Sequence, residues 1–188
     1  MYWQKNIHDL LDDDDQSLSS DCIEQFEIEA NCFAGTTLFQ HDRFVHELNK
    51  LNLGIESSMH LARHFGSSIH AALRRYVECS KNRCGLIVLE KIKTNGTPEC
   101  FLKNFIQSDS FIAAFGQPEI PPMMDCTWSF VRDYYNGRKL LKDGQVTILT
   151  KNGKVDFAYH YFNNNYNALV FLFPCGEKKT SKTRIILR

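Results

Sequence analysis

The chain has no surplus of either charge: 22 Lys and Arg face 22 Asp and Glu, so its formal net charge is zero. A balanced surface is a poor general binder of polyanions, which argues against a bulk nucleic-acid or heparin-like partner. No apolar run is long enough to span a bilayer, and the polar start (Met1, Tyr2, Trp3, Gln4, Lys5, Asn6) does not resemble a secretion signal. A cytoplasmic location without a membrane partner is therefore expected. Cys-x-x-Cys pairs are absent as well. The seven cysteines, at 22, 32, 79, 84, 100, 126 and 175, are odd in number, and several fall at apolar periodic positions. That pattern suits reduced core thiols better than a disulfide framework or a cysteine metal site. What the chain does have is apolar mass: 43% hydrophobic residues and 14 Phe among 188 residues can bury a core in one or two domains.

One carboxylate stands out against this background. Over residues 21–35, a period of about 100° per residue puts Ile23, Phe26, Ala30, Phe33 and Ala34 on one apolar face. Glu27 falls inside that arc, whereas Glu24 and Glu29 point away from it. An ionised carboxylate on a buried face is costly unless it is paired, hydrogen-bonded or bound to a metal. The usual companion of such a residue in a zinc site, an HExxH helix with two imidazoles at i and i+4 and a Glu as general base, is missing. The nearest fragments lack part of it: His46-Glu47 has no second His, and His60 and His64 have no Glu beside the first.

The spelling Glu27-x-x-Ala30-Asn31-x-Phe33-Ala34 resembles the third-ligand helix of the ImmA/IrrE family of zinc metallo-endopeptidases. The resemblance extends through residues 37–44 and on to residues 61–75, which are similar to that family's helix–turn–helix segment. It covers about the first 90 residues. It implies a gluzincin-like site in which Glu27 is the third zinc ligand and Asn31 supports it, with the two His and the catalytic Glu supplied by an HExxH helix upstream. Intact relatives cleave a helix–turn–helix repressor and so relieve repression of stress or mobile-element genes. With no HExxH, the chain is expected to be a truncated member, without catalytic residues, holding no zinc of its own and inactive as a peptidase. The alternative is a non-catalytic regulatory module that binds DNA or a protein partner and senses a ligand through its C-terminal domain. Truncation would also expose the face of the Glu27 helix that the HExxH helix normally covers, so self-association is expected.

Three parts follow along the chain, and the expected fold class is α+β. Residues 1–54 form the helical peptidase remnant: a short segment at 7–11, the acidic run 12–15, the Glu27 helix capped by Ser20 or Asp21, and a helix over 41–53 ended by Gly54. The acidic run reads as a solvated loop, since it lacks the ligand spacing of a calcium loop. Residues 55–80 form a helix–turn–helix-like segment. Ile55, Met59, Ala62 and Phe65 make one stripe, Gly66 the turn, and Ser67 or Ser68 the cap of a second helix facing inward with Ile69, Ala72, Leu73 and Tyr76. His70, Ala71, Arg74 and Arg75 then lie on its outer face, where they can reach phosphates or base edges; a plain helical hairpin linking two domains is the competing reading. His60 and His64 fall nearly opposite the buried stripe, as a solvated pair.

Residues 84–188 read as a mixed α/β sensor-like domain with an antiparallel sheet, a layout similar to GAF or PAS sensors. Strands are expected at 85–90, 145–150, 155–162, 168–173 and 183–187, and helices at 108–115 and 127–135, with a breaker at 118–122. The run 85–90 is expected to be buried on both faces. Val155, Phe157, Tyr159 and Tyr161 alternate onto one face. Trp128, Tyr134, Tyr159 and Tyr161 can line a ligand pocket or simply fill the core.

Overall fold

The computed structural model describes residues 33, 35–93 and 98–177, and the chain divides into two compact units, Met1–His41 and Asp42–Arg188. In the first unit residues 35–39 are helical, and Gln40 leaves the helix at φ 44 while its N–H still reaches Thr36 O at 3.0 Å. The segment at 7–11, the acidic run, most of the Glu27 helix with Glu27 and Asn31, and the expected strand at 183–187 lie outside the described residues.

The second unit holds α1 (His41–Lys50), α2 (Ile55–Phe65), α3 (Ile69–Cys79), β1 (Gly85–Leu89), β2 (Glu99–Gln107), α4 (Asp109–Phe115), β3 (Met123–Asp125), α5 (Ser129–Tyr135), β4 (Leu140–Thr150), β5 (Gly153–Asn163) and β6 (Ala168–Pro174). The six strands form one antiparallel sheet in the order β3-β2-β1-β6-β5-β4, so the class is α+β. The first hairpin and the last meander meet at the sheet centre, where Gly85–Leu89 pairs with Leu172–Ala168. Both central strands are apolar throughout because both their faces are covered: β1 is wholly buried, and β6 nearly so.

Alternation sorts the side chains into two cores. On the concave face Ile87, Leu89, Cys100, Phe157, Tyr159, Tyr161, Val170 and Leu172 pack against Phe111 and Phe115 of α4 and Phe130, Val131 and Tyr134 of α5. The Phe111, Phe115 and Phe157 rings contact one another at 5.0–5.4 Å. On the convex face Tyr76 of α3 meets Phe171 of β6 edge-on at 5.5 Å. The sheet curls enough for α5 to touch both of its edge strands, β3 and β4.

Polar atoms fasten the helices at their ends. Ser108, the N-cap of α4, accepts from Phe111 N at 3.1 Å and Cys84 N at 3.2 Å and donates to Asn82 O at 2.8 Å. At the other end of α4 the β4–β5 turn satisfies carbonyls that a helix leaves open: Lys151 Nζ donates to Ala113 O at 2.7 Å, Asn152 Nδ2 to Ala114 O at 2.8 Å, and Lys151 N to Phe115 O at 3.1 Å.

Several expectations need correction in detail. The helix expected over 41–53 stops at Lys50, and Gly54 is the N-cap of α2. The buried stripe of α2 is Ile55, Ser58, Leu61 and Ala62; Met59 and Phe65 are only half-buried. Strands β2 and β3 escape the periodicity. In β2 a bulge shifts the register between Val88 and Leu89, so Leu102 and Phe105, three apart, both pack against the concave core.

Among the described glycines, Gly144 has the least room for a side chain. A second bulge lies between Leu141 and Gly144, and Gly144 pairs with Tyr159. A Cβ on Gly144 would lie 2.2 Å from Cζ of the Tyr159 ring. That ring cannot swing aside: it is 1% exposed, and its hydroxyl donates to Asp133 Oδ2 at 2.7 Å. Gly144→Ala is therefore expected to cost about 2–4 kcal/mol, the upper range for overpacking a core, read as a lower urea midpoint with an unchanged slope.

Candidate functional site

The helices expected within residues 55–80 form as α2 and α3, with the turn and cap that their punctuation implies. Gly66 ends α2 in the left-handed conformation at φ 66, and its neighbour Ser67 returns a bond to Ala62 O at 2.9 Å. Ser68 caps α3 by accepting from Ala71 N at 3.1 Å. The inner face of α3 is Ala72, Leu73, Tyr76 and Val77, laid against the convex side of β1 and β2. Ile69 is only half-buried.

The residues expected on the outer face separate. Arg74 is exposed, but its Nε is bonded to Glu78 Oε1 at 2.8 Å. Arg75 is half-buried and reaches the other oxygen of Glu78 at 3.5 Å. His70 is half-buried, and burial, helped by Lys103 and Arg74, pulls its pKa below the ordinary value. The strip is thus a mixed one, with Glu78 bound by both arginines. His60 and His64 are both exposed with rings stacked 6.4 Å apart, the solvated pair that their spacing suggests. Among the described residues no group of three His, Cys, Asp or Glu can hold a metal ion.

The four aromatics singled out for a pocket also separate. Tyr134, Tyr159 and Tyr161 are buried in the concave core. The Tyr134 and Tyr161 rings lie 6.4 Å apart, and neither hydroxyl makes a hydrogen bond of good geometry. Burial raises the pKa of both, keeping them neutral phenols. Trp128 alone is partly open. It lines an open groove of about 510 Å³ with Thr127, Ser129, Gln145, Val146, Thr147 and Asp156.

This groove is built where the β3–α5 turn crosses to β4. Asp125 Oδ1 accepts from Thr127 N at 2.9 Å and also from the Thr127 hydroxyl, which together lower the Asp125 pKa. The turn then sets Trp128 against Phe130 at 5.4 Å and lets Ser129 Oγ donate to Gln145 O at 2.7 Å. Across the floor Thr147 Oγ1 donates to Asp156 Oδ1 at 2.6 Å. An aromatic face beside a carboxylate and several hydroxyls suits a small polar or cationic group. Trp128 was legible in the sequence; Asp156, Gln145 and Thr147 were not, because only the pairing of β4 with β5 brings them beside it.

No protein-family model matches the chain, and no curated protein matches it either.

Two outcomes are expected of these groups. Burial pushes the Cys84 and Cys100 thiols up to about 12, while Cys175 is exposed. At neutral pH only a thiolate alkylates readily, so peptide-mapped iodoacetamide labelling of the native chain should mark Cys175 well before Cys84 or Cys100, and all three after denaturation. His70 has a lowered pKa in the fold, so its neutral form is the favoured one. The stability it contributes is complete above the unfolded value of about 6.5 and is lost as pH falls below it. In melts across that range His70→Asn should show a shallower pH slope than the parent.

Proposed function

We propose that this chain is a non-catalytic regulatory module of the ImmA/IrrE type, in which a GAF- or PAS-like sensor domain carries a helix–turn–helix-like hairpin and engages a helix–turn–helix repressor. The observation that carries this reading is the union of hairpin and sheet. The hairpin residues, 61–75, resemble that family's helix–turn–helix segment. The sheet domain that follows has the helix-flanked antiparallel layout expected of a sensor, with α4 and α5 between its opening hairpin and its closing meander. The two pack together on the convex face, where Tyr76 of α3 meets Phe171 of β6.

In an intact relative, two His of an HExxH helix and the residue at the position of Glu27, supported by the one at Asn31, would hold zinc, which would supply a Lewis acid for the scissile carbonyl and for water. This reading assigns the chain itself no zinc and no peptidase step. A protein partner is favoured over DNA because both arginines of the outer strip already engage Glu78.

The test mixes the purified chain with a helix–turn–helix repressor of the kind ImmA/IrrE peptidases cut, with zinc and without. A complex in sedimentation velocity and an uncut repressor are expected. Cleavage that is abolished by chelator and by Glu27→Ala overturns the non-catalytic reading. No complex, together with salt-sensitive binding of duplex DNA that is lost in Arg74→Ala, replaces the protein partner by DNA.

A further inference from the structure

The first turn of α2 has no cap of its own. Gly54 occupies the N-cap position and offers no side chain to the open amides that begin every helix. The Ile55 N–H donates instead to Nδ1 of His160, on the convex face of β5, at 3.2 Å. A nitrogen that accepts this bond carries no proton, so the imidazole is neutral and its proton is on Nε2.

The surroundings fit that contact closely. Gly54 stands at φ +149, and a Cβ there would lie 3.0 Å from His160 Cε1 and 3.2 Å from Nδ1. Phe173 of β6 meets the imidazole edge-on at 5.1 Å. Beside it, Lys142 of β4 pairs with Glu56 of α2 and so ties α2 to the sheet a second time, through the neighbouring strand.

We propose that His160 is a proton-operated latch: the neutral ring fastens the start of α2, and with it the α1–α2 corner, to the sheet, and protonation opens it. An imidazolium cannot accept the Ile55 N–H, and its charge would face the positive end of the α2 dipole. The charged groups around the ring oppose one another: Glu56 and Asp143 favour the proton, and Lys142 disfavours it. Burial is the largest influence and holds the His160 pKa below its ordinary value. A lowered folded-state pKa means the latch is closed above about 6.5, the unfolded value, and opens as pH falls below that range. Two bonds that do not titrate in this range keep the corner together when it opens: Ser57 Oγ donates to Asn52 O at 2.5 Å, and Tyr76 OH donates to the same carbonyl at 3.4 Å. The latch acts whatever partner the module binds.

Amide hydrogen exchange on the full chain, corrected for intrinsic rates and followed through the imidazole range, tests it. The first turn of α2 in the parent should lose up to about tenfold protection per pH unit as pH falls from about 6.5, the unfolded value, toward the lower folded-state pKa of His160, and level off beneath it. His160→Asn, whose Oδ1 stands near the place of Nδ1 and does not titrate, should keep that protection across the range. His160→Leu should lack it at every pH while β1 stays protected; if that variant does not fold, the parent and the Asn variant decide. Protection in the parent that is independent of pH overturns the latch. So does an equal loss in His160→Asn, which would assign the response to Glu56, Asp143 or the exposed His60 and His64.

Discussion

The pairing of β1 with β6 is the constraint on which the rest of the second unit depends. It joins the start of the sheet domain to its end, Gly85 opposite Leu172 and Leu89 opposite Ala168. Two strands so placed must be apolar on both faces, and these are. Their apolar residues make two cores at once: one takes α4 and α5, the other takes α3. Burial at about 25 cal/mol per Å² of apolar surface supplies the main driving force for both. The polar bonds at helix ends then select one arrangement among the ways such helices can pack. Ser108 ties the α3–β1 loop to α4, and the β4–β5 turn closes the other end of the same helix.

How much of this was legible follows from which signals are local. β1 and β6 are plain apolar runs, and β5 alternates cleanly, so all three can be read along the chain. The Gly66 turn and the Ser68 cap are legible too, because a left-handed residue and a capping hydroxyl act on their immediate neighbours. β2 was hidden by its bulge: one extra residue near Lys103 spoils the period of two. β3 is three residues long and is a strand only because Cys100 and its neighbours pair with it.

The sites divide in the same way. Trp128 is conspicuous in any reading, but its partners come from a strand pair some twenty residues further on. Gly54 shows only as a helix breaker, and nothing near it announces that a histidine 106 residues later will take the place of its missing cap. Tertiary capping leaves no trace in local sequence, because the donor and the acceptor share neither an element nor a period. The arginines of α3 show the converse. Their spacing on one helix is visible at once, while their engagement by Glu78 depends on which rotamers the folded surface selects.

The position of α5 across the curl has a consequence for solubility. An open antiparallel sheet ends in two strands whose outward amides and carbonyls invite another chain to add on. Here one edge is only three residues long, and the other is met by Ser129, whose hydroxyl occupies Gln145 O. The first residue of a seven-residue helix thereby occupies one of the carbonyls of the β4 border. Damage to α5 would therefore reach beyond the core beneath it, since it would free that carbonyl on the longer of the two borders.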